Sequence, residues 1–181
     1  MIGQIQRAID VTGTIVYGIA DDQWHLPTPC AEWDVRTLLN HTVGGMQIFA
    51  AELDGRAHGD HEDDWLAADP AGAYRAAAAA DLAAWQRPGA LDGKVQISLG
   101  VLPGPMAAVI HLTELVVHGA DLAVATGQEH LVDEDACDAL LGTMRTMGMD
   151  AYRLPGVFNA ELQPEPDAPA HRRLLAFLGR G

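Results

Sequence analysis

At 181 residues, nearly half of them hydrophobic (49%), the chain is long enough for one domain with a real core and short for two, so a single domain over 1–181 is expected. A formal net charge of −14, from 25 acidic against 11 basic residues, would repel a phosphate backbone or an anionic bilayer, which argues against nucleic acid and membrane as partners. No run approaches the roughly eighteen uninterrupted apolar residues of a membrane span, the start MIGQIQRAIDVTG lacks the regions of a signal peptide, and Cys30 and Cys137 form no CxxC pattern; a soluble, cytoplasmic protein with free thiols is expected.

In chain order, Ile2, Ile5, Ala8, Ile9, Thr12 and Val16 have helical spacing, and a first helix is predicted to run to about Ile19. DDQWHLPTPCAEWD then breaks the pattern with Pro27 and Pro29. Asp34 stands where an N-cap belongs, ahead of a second helix in which Val35, Leu38, Leu39, Met46, Phe49 and Leu53 share a face and which ends near Gly55. GRAHGDHEDDWLAADPAG is polar, acidic and punctuated by Gly and Pro, so a long surface loop is expected, with His58 and His61 in its solvated acidic part. Ala71 to Trp85 is alanine-dense and reads as a third helix, because alanine is the best helix former and lets helices pack closely.

GKVQISLGVLPG alternates briefly, as a small β-hairpin or extended crossover does, before Pro105 opens a fourth helix that Gly127 closes. Asp133 to Met149 predicts a further amphipathic helix, RLPGVFNAELQPEPDAPA an extended proline-rich passage, and HRRLLAFL a short closing helix. Four principal helices with long connections make an all-α four-helix bundle with a long crossover the expected architecture.

The fourth helix raises a chemical question. HLTELVVHGADLAVATG is largely apolar yet carries His111, Glu114, His118 and Asp121. At about 100° per residue, and with His111 at zero, Glu114 lies near about −60°, His118 about −20° and Asp121 about −80°. Apolar Leu122 and Leu115 hem this arc on one side, and Ile110 and Val117 on the other, so the stripe does not face open water. Imidazoles and carboxylates in such a place need compensation, either from each other as an i, i+4 pair of Glu114 with His118 or from a divalent cation. A third donor is available: in LLNHTVGG, His41 falls at the edge of the core face of the second helix, with Gly44 and Gly45 leaving room beside it. A satisfied boundary histidine is the other reading of that residue.

PTPCAEWDVRTLLNHTVGG followed downstream by HLTELVVHGADLAVATGQ resembles the actinobacterial DinB-like metal-binding proteins, in particular the N-terminal domain of mycothiol-dependent maleylpyruvate isomerase and its single-domain relatives. The resemblance implies a DinB-like four-helix bundle in which His41, Glu114 and His118 hold a divalent metal. His111 is then a pocket-lining residue or spare donor and, in a hydrolytic reading, the catalytic general base. Asp121 either accepts the second ring N–H of a ligating histidine, as carboxylates behind metal sites do, or pairs with a basic side chain near the helix end, and Asn40 reads as structural. Two imidazoles and a carboxylate suit zinc first, and also nickel, iron(II) or manganese.

Three protein ligands leave a position open, the arrangement of a catalytic site. The resemblance implies a mycothiol-type thiol as co-substrate and nucleophile, transferred to a small electrophilic substrate or used to isomerise it. The isomerase has a further C-terminal domain that contributes to its active site, whereas this chain ends soon after LLAFLGRG, which points to a thiol transferase or another relative rather than to maleylpyruvate. A metal-water hydrolase and a non-catalytic metal-binding or stress-related protein are the competing classes. Cys30 lies shortly before the second helix, whose dipole would activate it, while a buried structural thiol is the plainer reading. Broad apolar helix faces are compatible with a homodimer, though no residue specifies one.

Overall fold

The computed structural model describes residues 1–31, 33–97, 100–148, 153 and 158–181. Within these, α1 spans Ile2–Tyr17, α2 Val35–Asp54, α3 Pro70–Trp85, α4 Gly104–Thr126, α5 Glu134–Met147 and α6 Ala170–Phe177, with strands β1 Lys94–Ile97 and β2 Gly100–Pro103. Met149, read from sequence as the end of the fifth helix, and 154–157 of the proline-rich passage lie outside the described residues, as do Ser98 and Leu99 of the hairpin segment.

The helix ends follow from local chemistry. Asp34 caps α2: the backbone N–H of Thr37 donates to its carboxylate at 2.8 Å, and Gly55 closes the helix at φ +64°, where its N–H reaches Ala51. The cap matters because it sets the start of the helix that carries His41. Burial pushes the Asp34 carboxyl up, but the hydrogen bonds from Thr37 and His25 outweigh it and hold the group below its ordinary value. Asp34→Ala is expected to cost about 1 kcal/mol at pH 7. A carboxyl depressed in the folded state stabilises above its unfolded pKa of about 4, and that stability is lost as the pH falls through the lower folded value. Urea midpoints of wild type and variant should therefore differ at pH 7 and converge toward about pH 2.

Each of α1 and α2 packs on both α3 and α4, so the four helices form a ring in the order α1, α3, α2, α4. The α1 and α4 backbones approach closely at Gly119, where a Cβ would stand 2.5 Å from Thr12 Oγ1. Ile5, Ile15, Leu38, Leu39, Leu115 and Leu122 fill the space between the helices. The antiparallel hairpin, in register Lys94↔Pro103 to Ile97↔Gly100, connects α3 to α4 and buries Val95. α5 and α6 pack together outside the ring, and α6 also meets α4. The result is an all-α bundle with extra C-terminal helices and a small hairpin.

By length and mean hydropathy α4 passes for a membrane span, but 61% of its apolar window is buried inside the bundle, the place of a core helix. The connection from α2 to α3 is a largely exposed surface loop, as expected, but it is pinned to the bundle: Leu66 is buried and the Trp65 indole packs on Gly44, where a Cβ would meet the ring at 2.7 Å. Asn40 holds this segment from α2, donating to the Asp63 carbonyl at 2.9 Å and accepting the Trp65 backbone N–H at 2.8 Å, a structural role as read from sequence.

Candidate metal centre

α2 and α4 cross so that His41 faces the stripe on α4. One donor atom each from His41, Glu114 and His118 lies within 4.8 Å of the others. The two imidazoles converge on a single carboxylate oxygen: Glu114 Oε2 is 3.3 Å from His41 Nε2 and 3.0 Å from His118 Nε2. His118 is 4% exposed, whereas the side chains of His41 and Glu114 are 27% and 42% exposed, so the group has one buried and one open side.

The electrostatics follow from this convergence. Desolvation pushes the Glu114 carboxyl up, but hydrogen bonds from His118 and His41 prevail and hold it well below its ordinary range. Desolvation likewise pulls the His118 imidazole down, and its hydrogen bonds to Asp121 and Glu114 overcome that and raise it.

Asp121 meets both an imidazole and a basic side chain. It lies behind His118, its Oδ2 3.2 Å from Nδ1, and the same oxygen accepts from Arg180. The basic partner does not come from the end of α4 but from the C-terminal residue pair, 59 positions later. Asp121 is completely buried, and its second oxygen has no hydrogen-bond partner among the described residues.

The group opens on a cavity of about 380 Å³ whose walls include Trp33, Met46, Phe49, Ile110 and Leu115. Trp33 packs against the His41 ring at 4.7 Å between centroids. His61 stacks on the same ring at 5.1 Å, which places it in the cavity wall rather than in the solvated acidic loop expected for it. No local sequence signal marks His61, because only the fold of the segment held by Asn40 turns it inward; His58, three residues earlier, faces outward and bonds Glu52.

Cys30 also lines the cavity, and its sulfur lies within 4.8 Å of donor atoms of His118 and Asp121. Burial pushes its thiol up, with Arg180 opposing and the Asp121 and Glu114 carboxylates adding to the rise. Cys137 is buried and its thiol is pushed up to about 12 by desolvation. His111 lines the same cavity, but its Nε2 is committed to Asp81 at 2.7 Å, away from the three converging donors.

The donor chemistry fits a divalent ion. Neutral imidazole nitrogens and a carboxylate are its ordinary ligands, the three sit on two rigid helices, and a carboxylate behind one imidazole fixes that ring's tautomer. All three donors come from α2 and α4, leaving the cavity side for another molecule.

Comparison with known proteins gives three findings. The family described as "Mycothiol maleylpyruvate isomerase N-terminal domain" matches residues 5–123, from Ile5 within α1 to Ala123 within α4, and so includes all three donors. Two uncharacterized proteins of Mycobacterium tuberculosis, one from strain CDC 1551 / Oshkosh and one from strain ATCC 25618 / H37Rv, are each 32% identical over 176 residues, covering 97% of this chain and 94% of their own. No solved structure matches the chain significantly.

Proposed function

The chain belongs to the mycothiol maleylpyruvate isomerase N-terminal domain family, and from that premise we propose that it is a divalent-metal-dependent enzyme in which a low-molecular-weight thiol of the mycothiol type attacks a small electrophilic substrate, transferring to it or isomerising it. The observation that carries this reading is the convergence of His41, Glu114 and His118 beside a cavity large enough for a small molecule. Zinc is the metal best suited to this donor set, with nickel, iron(II) and manganese behind it. A metal held there supplies Lewis acidity that favours the thiolate over the thiol near neutral pH.

The chain's own residues do the rest. His41, Glu114 and His118 hold the ion. Asp121 orients His118 by accepting from Nδ1, which leaves Nε2 for the metal, and Arg180 balances the buried carboxylate. Trp33, Met46 and Phe49 give the cavity beside the donors a largely apolar wall, against which fixed charges act more strongly than in open solvent.

The reading is tested on the full chain with cobalt in place of the native metal, titrated with N-acetylcysteine. A sulfur-to-cobalt charge-transfer band that grows and saturates is the expected result. Bound cobalt without that band overturns the thiol mechanism, and hydrolysis of an activated ester in the absence of thiol would then mark a metal-water hydrolase.

A further inference from the structure

Asp81 on α3 is completely buried, and so, at 2% exposed, is His111 on α4. Asp81 Oδ2 lies 2.7 Å from His111 Nε2 across the gap between the two helices. A carboxylate removed from water needs its oxygens matched, and a purely structural network occupies both of them. Here the second oxygen, Oδ1, has no hydrogen-bond partner among the described residues, so compensation of this carboxylate falls on the imidazole.

The imidazole is held in a fixed plane. Phe49 packs on it at 4.4 Å and Trp85 stacks on it at 5.7 Å. With Nε2 given to Asp81, Nδ1 is the ring's remaining polar atom, and His111 forms part of the wall of the cavity on which Glu114 and His118 open. On α4 it stands one turn N-terminal to Glu114, a rise of about 4.5 Å. A molecule anchored at the three converging donors has His111 in the wall of the same cavity, one helical turn away.

We infer that Asp81 and His111 are the proton-transfer dyad of this cavity: His111 Nδ1 exchanges a proton with an O–H or S–H group of the bound molecule, and Asp81 is the positioning residue that decides which ring nitrogen is available. The inference rests on the proposed reading of the cavity as a reaction site. The proton count closes. Nε2–H stays bonded to Asp81, the Nδ1 lone pair takes the proton as the O–H or S–H bond breaks, and the same proton returns to the product. The imidazolium formed in between is balanced by the Asp81 carboxylate from α3, with Glu114 one turn away on its own helix, while α2 packs the uncharged Phe49 ring on it and places His41 in the same cavity. Removing the carboxylate changes the tautomer, and a histidine in the wrong tautomer cannot accept at Nδ1.

The test is NMR of the histidine ring nitrogens in the full, zinc-loaded protein, with N-acetylcysteine and phenol as S–H and O–H probes and the Met46 methyl as an independent report of cavity occupancy. Wild type is expected to show His111 with a protonated Nε2 and a bare Nδ1, and either probe should shift Nδ1. In Asp81→Asn the single tautomer is lost and the probe-induced shift with it, while zinc content stays as in wild type. A protonated Nδ1 in wild type overturns the inference. So does a probe that moves Met46 but not His111, or a cavity that neither probe enters. The wild-type spectra decide the matter even if Asp81→Asn fails to fold. Failure of the metal reading is separate: it appears as absence of zinc by elemental analysis, with the ring-nitrogen result still standing.

Discussion

His118→Ala is expected to leave a folded chain that no longer retains its metal. His118 faces Glu114 with one ring nitrogen and Asp121 with the other, and it is the most enclosed of the three donors. Losing a carboxylate behind a metal-bound histidine already lowers metal affinity about 10- to 100-fold, so losing the imidazole itself should cost more than about 100-fold. His41→Ala and Glu114→Gln should do the same, because the donors of all three meet within 4.8 Å. Elemental analysis of untagged protein after dialysis is the check, with about one metal per chain in wild type and little in each variant. The fold should survive: Asp121 keeps its pairing with Arg180 in His118→Ala, and the aliphatic core around Leu38 and Leu115 is untouched. Metal retained in all three variants would sink the assignment of these ligands, and metal-free wild type would make the stripe a structural polar network.

Arg180→Ala carries the second large effect, on stability. Asp121 is wholly buried, one of its oxygens has no partner, and the other is shared by Arg180 and His118. Stripping one partner from a buried ion pair costs about 3–5 kcal/mol, because the remaining charge is left in a poor solvent. The lower end applies here, since His118 still donates to the same oxygen. For a chain of this length about 3 kcal/mol lowers Tm by roughly 6–12 °C. The double variant Arg180→Ala/Asp121→Asn is expected to recover part of the loss, as removing the charge removes the penalty, and a double-mutant cycle measures how much. If Arg180→Ala melts with wild type, the carboxylate is compensated by His118 alone.

Much of the bundle is legible from local pattern. Asp34 announces α2, Gly127 ends α4 in the left-handed conformation, and the alternation in KVQI and GVLP marks the hairpin. The stripe on α4 is legible for the same reason, since four polar residues on an apolar helix need neighbours to compensate them. His61, Asp81 and Arg180 were missed as partners of the site, and each is brought there by a contact between segments far apart in the chain. His61 sits in a run of acidic residues, Asp81 in a run of alanines and Arg180 among terminal residues, and none carries a periodicity that points at the cavity.

What the sequence determined by itself, then, is whatever depends on a turn or two of chain: which segments coil, where they are capped, and that His111, Glu114, His118 and Asp121 share a face. Tertiary structure decided which residues answer that face. His41 meets Glu114 across α2 and α4, Asp81 takes His111 away from the converging donors, and Arg180 reaches back to Asp121. The physical reason is that helical periodicity is fixed by backbone geometry within a few residues, whereas the compensation of a buried charge is settled by whichever group the packed helices bring within hydrogen-bond reach.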